Sequence, residues 1–363
     1  MKSARAVLWI LAALLSAAAL SVERRITAYA PSPYRDEMVR AASVMSEALD
    51  RVRDARAAAG FDLDVLRDPN RTGLIGLEYS ETTTSLGDLE AKRSSANPDM
   101  AALAVLLLRE AGVKPGDAVA VGASGSFPGL VLAVLSAARA LDLDAALVAS
   151  LGASSWGAND PEFSYLRIHD AALPVLGYPI RAVSLGGGGD SGADMQPEGR
   201  RLLSREISRS GLRFIDPRSL ADGVAERMAL YDAFLDGRPC AAFVNIGGAS
   251  ANVGEEAEAL ELAPGINLPE RLPSGGTGIA FGMAARGVPV IHLLNLRALA
   301  RDYGVPWDPV PFPGIGESRV YRVYDRNLYR RRLGILTVLY AAGLAALGAA
   351  GAAVRRKAAG RAE

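Results

Sequence analysis

The chain has 363 residues, half of them apolar, a length that predicts about two domains and a composition that excludes a disordered tail protein. Forty basic residues balance forty acidic ones, so no overall positive field exists to hold a nucleic acid. The single cysteine, Cys240, excludes an internal disulfide and a thiolate zinc cluster and leaves the redox compartment open.

In chain order, the first feature is an uncharged apolar run over 6–22, preceded by Lys2 and Arg5 and followed by Glu23, Arg24 and Arg25. A bilayer-spanning helix needs about 20 apolar residues, so the run reads as a transmembrane helix or signal anchor. Its basic start and the small residues Ala17 and Ala19 equally fit a cleavable signal peptide. Met38, Ala41, Met45, Ala48, Leu49 and Val52 then recur at helical spacing, which predicts an amphipathic helix over 34–59, acting as a stalk or as a covering helix. Beyond the Asp68-Pro69-Asn70 turn, short apolar runs alternate with helical segments. Strands are predicted over 74–79, 118–122, 145–150, 181–185, 212–215, 241–246 and 288–294, and helices over 98–111, 127–141, 161–173, 197–210, 219–235 and 278–286.

Such alternation predicts an α/β, Rossmann-like fold with a parallel or mixed sheet and helices on both faces. A second uncharged run over 333–354 is long enough to span a membrane. Gly343, Gly348 and Gly351 give it small-residue faces for packing against another helix. The expected organisation is therefore an anchor over 1–25, a juxtamembrane helix within 26–70, an α/β domain over 71–329 and a terminal span with a basic tail over 330–363. Arg355, Arg356, Lys357 and Arg361 after the second span outnumber Arg330, Arg331 and Arg332 before it. With Lys2 and Arg5 ahead of the first span, this places both termini in the cytoplasm and the large domain outside the inner membrane. Tyr321, Tyr324 and Tyr329 suit an interfacial aromatic belt, or ordinary packing.

Small and hydroxyl-bearing residues cluster after the strands, at the edge where open α/β sheets bind ligands. These loops carry Thr82, Thr83 and Thr84; Ser124, Gly125 and Ser126; Ser154, Ser155 and Asn159; Gly188 and Asp190; and Asn245, Gly247 and Gly248. Together they suggest one pocket lined by backbone N–H groups and suited to an anion. Lys92 and Arg93 supply cations, either for such a ligand or as a solvated pair, and Lys92 stands out because only Lys2, Lys114 and Lys357 are also lysine.

Ser124 and Ser126 lie between a strand and a helix, the context of a nucleophile elbow, although Ser126 stands where an elbow has Gly. Asp190 or Asp194 followed by His292 would complete a nucleophile, acid and base order, yet His292 reads as a core strand residue, and His169 as a surface partner of Asp170. Gly187 to Gly192 satisfies G-x-G-x-x-G, with Asp216 as the candidate ribose acid, but no helix opens directly after the glycines. No Gly-Lys dipeptide exists, which excludes the usual phosphate loop. Glu81, Asp190 and Asp194 could serve acid–base chemistry or a hard cation, but match no calcium loop. No metal site and no particular cofactor follow.

Over 80–98, 122–129, 152–161, 186–192 and 245–254, together with the two flanking apolar runs, the chain resembles the poly-gamma-glutamate system protein family, the membrane-anchored component found with poly-gamma-glutamate synthesis machinery. The likeness covers nearly the whole chain. It implies a role in making, modifying or exporting a gamma-linked glutamate polymer at the cell envelope, beside other synthesis subunits, and it carries no catalytic set. The expected function is an accessory component that binds glutamate, its polymer or another anionic ligand at the loops. Alternatives are a serine-dependent hydrolase or transpeptidase using Ser124 or Ser126, and a non-enzymatic scaffold.

Overall fold

A computed structural model describes residues 2–26, 28–254 and 256–359. Arg361 of the basic tail lies outside the described residues. The chain opens with α1 (Lys2–Arg25), passes through the short strand β1 (Tyr29–Pro31) into α2 (Arg35–Ala58), and after an irregular stretch forms α3 (Leu89–Ser95) and α4 (Asp99–Glu110). Alternating elements follow: β2 (Ala118–Ser124), α5 (Pro128–Ala140), β3 (Asp144–Ser150), α6 (Tyr165–Leu176), β4 (Ile180–Ser184), α7 (Pro197–Ser210), β5 (Arg213–Ile215), α8 (Leu220–Leu235) and β6 (Cys240–Ile246). The remainder holds α9 (Ser250–Val253), α10 (Glu256–Ala259), β7 (Gly265–Asn267), α11 (Ile279–Ala285), β8 (Val290–Leu293), α12 (Leu296–Tyr303), β9 (Arg322–Tyr324) and α13 (Arg326–Ala359). Two compact units result, Met1–Ser32 with Arg322–Glu363, and Pro33–Tyr321.

The larger unit is an α/β domain around a seven-stranded sheet of order β5-β4-β3-β2-β6-β8-β7, parallel except for β7. Every residue of β2 is buried, as expected for a central strand covered on both faces. Val119, Val121 and Leu147 join one apolar cluster with α2, α4, α5 and α6, whereas Ala120, Ala146 and Val148 join a second with Tyr231 of α8 and Phe281 of α11. Period-two alternation thus feeds two cores. Pro128 and Pro197 open α5 and α7 at a position where a missing N–H costs nothing, and left-handed Gly177 and Gly211 end α6 and α7. The amphipathic segment is a covering helix: Met38, Met45 and Val52 of α2 are fully buried in the first core.

Residues 74–79 form no strand. Their backbone groups are used by another loop instead: Gly76 N–H donates to Trp156 O (3.2 Å), Trp156 N–H to Leu77 O (2.8 Å), and the Asn159 amide brackets Leu77 with two bonds of 2.9 Å. A Cβ at Gly76 would stand 2.0 Å from Gly157 O, so glycine permits this approach. The helix expected to stop at Leu173 continues through Pro174 to Leu176.

In the smaller unit, β1 and β9 pair antiparallel, with Tyr29 opposite Tyr324. Ala6–Arg25 and Arg326–Lys357 are long and apolar enough to cross a membrane. The two helices pack together through small residues, as the sequence suggested: Cβ atoms added at Gly343 and Gly351 would meet Leu15 at 2.8 Å and Leu8 at 3.3 Å, while Gly348 faces open space. Ser16 Oγ and Tyr340 Oη share a hydrogen bond of 2.8 Å across the pair.

Candidate functional site

From β2 the chain winds outward through β3, β4 and β5, then returns to place β6 on the other side of β2. That reversal is a topological switch point, where diverging loops leave a crevice at the carboxyl ends of the strands. Strand register carries Ser124, Ser150 and Ser184 into one row across β2, β3 and β4. A cavity of about 880 Å³ lies at this edge, lined by residues of the loops after β2, β3, β4, β6 and β8 and by the segment that leads into α3.

Lys92 is the cation in its wall, which also carries the carboxylates of Asp88 and Asp194. Asp88 caps α3 by accepting the Ala91 N–H (2.8 Å), and one turn later the Lys92 side chain enters the protein, with the residue 3% exposed. Its Nζ donates to Ser126 O, lies 2.7 Å from Ser154 Oγ and sits 3.6 Å from the centroid of the Phe127 ring. Burial pulls the ammonium down to about 7, against a smaller upward pull from Asp88. Its hydrogen bonds go to neutral oxygens, so the low dielectric acts on it without a carboxylate partner.

The neighbouring hydroxyls are chained together. Ser126 N–H donates to Ser124 Oγ (3.2 Å), and Ser154 N–H donates to Ser126 Oγ (3.0 Å). Gly125 makes the crossing of these loops feasible, since a Cβ there would stand 2.4 Å from Leu151 O. Of the residues singled out in the sequence, Thr84, Lys92, Ser124, Ser126, Ser154, Gly188 and Gly248 meet around the cavity.

Others serve the scaffold. Arg93 turns away from Lys92 and pairs with Asp308 through two contacts, one of 2.7 Å, so it is neither a ligand group of the cavity nor a solvated cation. Thr82 Oγ1 donates to Asn159 O (2.9 Å) and Asn159 Nδ2 donates to Thr83 Oγ1 (2.9 Å), which fixes the loop beneath the rim. Ser155 and Gly125 hold neighbouring loops through backbone bonds to Ser85 and Ser150. Gly247, at φ +82°, lets the chain leave β6 close against Ser124.

Asp190, expected at the ligand or as a catalytic acid, is fully engaged by Arg227 of α8, with both side chains fully buried. Ser150 and Ser184 complete that network. Because Asp190 descends into the core, the Gly187–Gly192 run closes on itself, Gly192 N–H donating to Gly186 O (2.6 Å), and does not open a helix. His292 accepts from Asn245 Nδ2 at Nδ1 (2.7 Å) and is held down to about 4 by burial. Among the described residues no hydrogen bond joins it to Ser124 or Ser126, and the expected Ser, Asp and His order assembles no triad. His169 is not a surface residue: at 2% exposure it shares the buried face of α6 with Tyr165 and Ala172.

Asp194, read in the sequence as a candidate acid, lines the cavity, and so do Ser150, Phe127 and Ser250, which are not among the candidate residues. The recurrence of serine at the ends of β2, β3 and β4 was a signal available for Ser150. Among the described residues no group of three His, Cys, Asp or Glu side chains is arranged to hold a metal ion. Set against family models, curated proteins and solved structures, the chain finds no match.

Proposed function

We propose that the protein is a membrane-anchored accessory component of a poly-gamma-glutamate synthesis or export system, with a Rossmann-like domain outside the inner membrane that binds a glutamyl unit in the switch-point cavity. The observation that carries this reading is the cavity itself, where five glycine- and hydroxyl-rich loops converge at one sheet edge. The turns through Gly187–Gly189 and Gly248 bring backbone N–H groups to the wall, and Thr84 and Ser85 bring hydroxyls, neutral donors suited to a carboxylate. The exposed Asp194 carboxylate sits on the same wall, against Gly188. A wall with both donors and a carboxylate suits a zwitterion, with its ammonium at Asp194, better than an uninterrupted polyanion. The ligand is therefore free glutamate or the amino end of a γ-glutamyl chain.

Calorimetry on the full-length protein in detergent, at low salt, tests this with glutamate and with γ-glutamyl oligomers. Glutamate and short oligomers should release heat, and Asp194→Asn should weaken both by roughly tenfold or more, in line with loss of a charge-assisted bond. Absence of heat for every ligand overturns the reading.

A further inference from the structure

Ser154 and Lys92 are more closely matched than a binding wall requires. Ser154 lies two loops from the elbow serines in sequence, yet its Oγ is 2.7 Å from Lys92 Nζ, and both residues line the cavity at 6% and 3% exposure. Its main chain is pinned on both sides, N–H to Ser126 Oγ (3.0 Å) and C=O from Gly157 N–H (3.0 Å). Gly87 backs the pair: a Cβ there would stand 3.2 Å from Ser154 Oγ and 2.3 Å from Ser155 O, so the segment entering α3 comes this close only through glycine. Ser124 Oγ and Ser126 Oγ accept from backbone N–H groups, and among the described residues neither is hydrogen-bonded to a lysine.

We infer that Ser154 and Lys92 form a serine–lysine pair for acyl transfer, Ser154 Oγ being the nucleophile and Lys92 Nζ its general base. The inference rests on the proposed function only for its substrate, a γ-glutamyl amide. A lysine can serve as base when it is neutral, and burial supplies that form near neutral pH. Ser126 O then fixes one Nζ hydrogen while the lone pair takes the Oγ proton. As Oγ bonds to the carbonyl carbon, that proton passes to Nζ. Collapse breaks the C–N bond and returns the proton from Nζ to the leaving amine, which leaves an ester on Ser154. Water, or a second amine, then attacks the ester carbon and gives its proton to Nζ; the carbon–Oγ bond breaks as Nζ returns that proton to Ser154 Oγ, giving hydrolysis or transpeptidation. Ser126, through its hold on the Ser154 N–H, is a positioning residue.

The full-length protein in detergent is treated with a fluorophosphonate, which forms an Oγ–P bond and expels fluoride, and the adduct is located by peptide mass spectrometry. One adduct on Ser154 is expected. Ser154→Ala should abolish it, and Lys92→Met should slow it on the order of a hundredfold or more. The wild-type rate should climb with pH through about 7 and flatten above it, a profile that Lys92→Met loses. Circular dichroism confirms that each variant is folded; where Lys92→Met is not, the wild-type profile and the mapped site decide. An adduct on Ser124 or Ser126, or none while glutamate still gives heat, overturns the pair and leaves the binding reading intact. A Ser154 adduct with no glutamate heat keeps the pair and overturns the substrate.

Discussion

Arg227 Nη2 lies 2.7 Å from Asp190 Oδ2 with both side chains at 0% exposure, so α8 is tied to the β4 loop by an ion pair wholly inside the protein. Removing one partner strands the other charge in the core. Arg227→Met should cost about 3–5 kcal/mol of stability in chemical denaturation. Asp190→Asn combined with Arg227→Met should cost less than the sum of the two single changes, because the double variant buries no lone charge. Additive losses would refute this account.

Lys92 titrates near 7 in the folded chain, against 10.5 for a free lysine. Between those values the unfolded chain binds the extra proton, so this group makes stability rise with pH across the window. The melting temperature of the wild type should therefore gain on that of Lys92→Met as pH rises from about 7 to about 10. A constant difference would show that the lysine is not desolvated.

His169 and His292 are both held down to about 4 by burial, below the usual 6.5. Here too the unfolded state takes up protons first, and stability is lost as pH falls from about 6.5 towards 4. His169→Phe should flatten part of that acid slope in thermal unfolding, whereas an unchanged slope would place the acid sensitivity elsewhere.

Gly199 in the first turn of α7 lies against the rim loop, and a Cβ added there would be 1.9 Å from Glu81 O. Gly199→Ala should destabilise the protein by about 1–3 kcal/mol through overpacking. It should also weaken glutamate binding, because residues 80–88 lead directly into the cavity wall. Full binding in a destabilised variant would uncouple the loop from the site.

For topology, Cys240 is the sole thiol and is half-buried, its Sγ donating to Ala242 O at 3.3 Å. With Cys240→Ala and a new thiol at exposed Ser208, an impermeant maleimide should label intact cells. Labelling only after the inner membrane is opened would put the domain in the cytoplasm.

What the sequence determined by itself is local. The two terminal apolar helices follow from uninterrupted hydrophobic length, and β2, β3, β4, β5, β6 and β8 with their helices follow from apolar runs alternating with amphipathic ones, since periodicity depends on near neighbours alone. It also placed the glycine and serine loops at one edge, because parallel alternation sends every strand end the same way. It read 74–79 as a strand and missed β7, for neither a borrowed hydrogen-bond partner nor a three-residue antiparallel pairing leaves a periodic trace. The tertiary structure decided which side chains meet. Lys92 with Ser154, Arg93 with Asp308 and Asp190 with Arg227 are separated by 62, 215 and 37 residues. Over such separations no spacing rule operates. Adjacent Lys92 and Arg93 offer the same charge and read together as candidate ligand cations, yet they point about 100° apart around a helix, one into the cavity and one into an ion pair. Only burial, which removes water from one and leaves a carboxylate to the other, separates their chemistry.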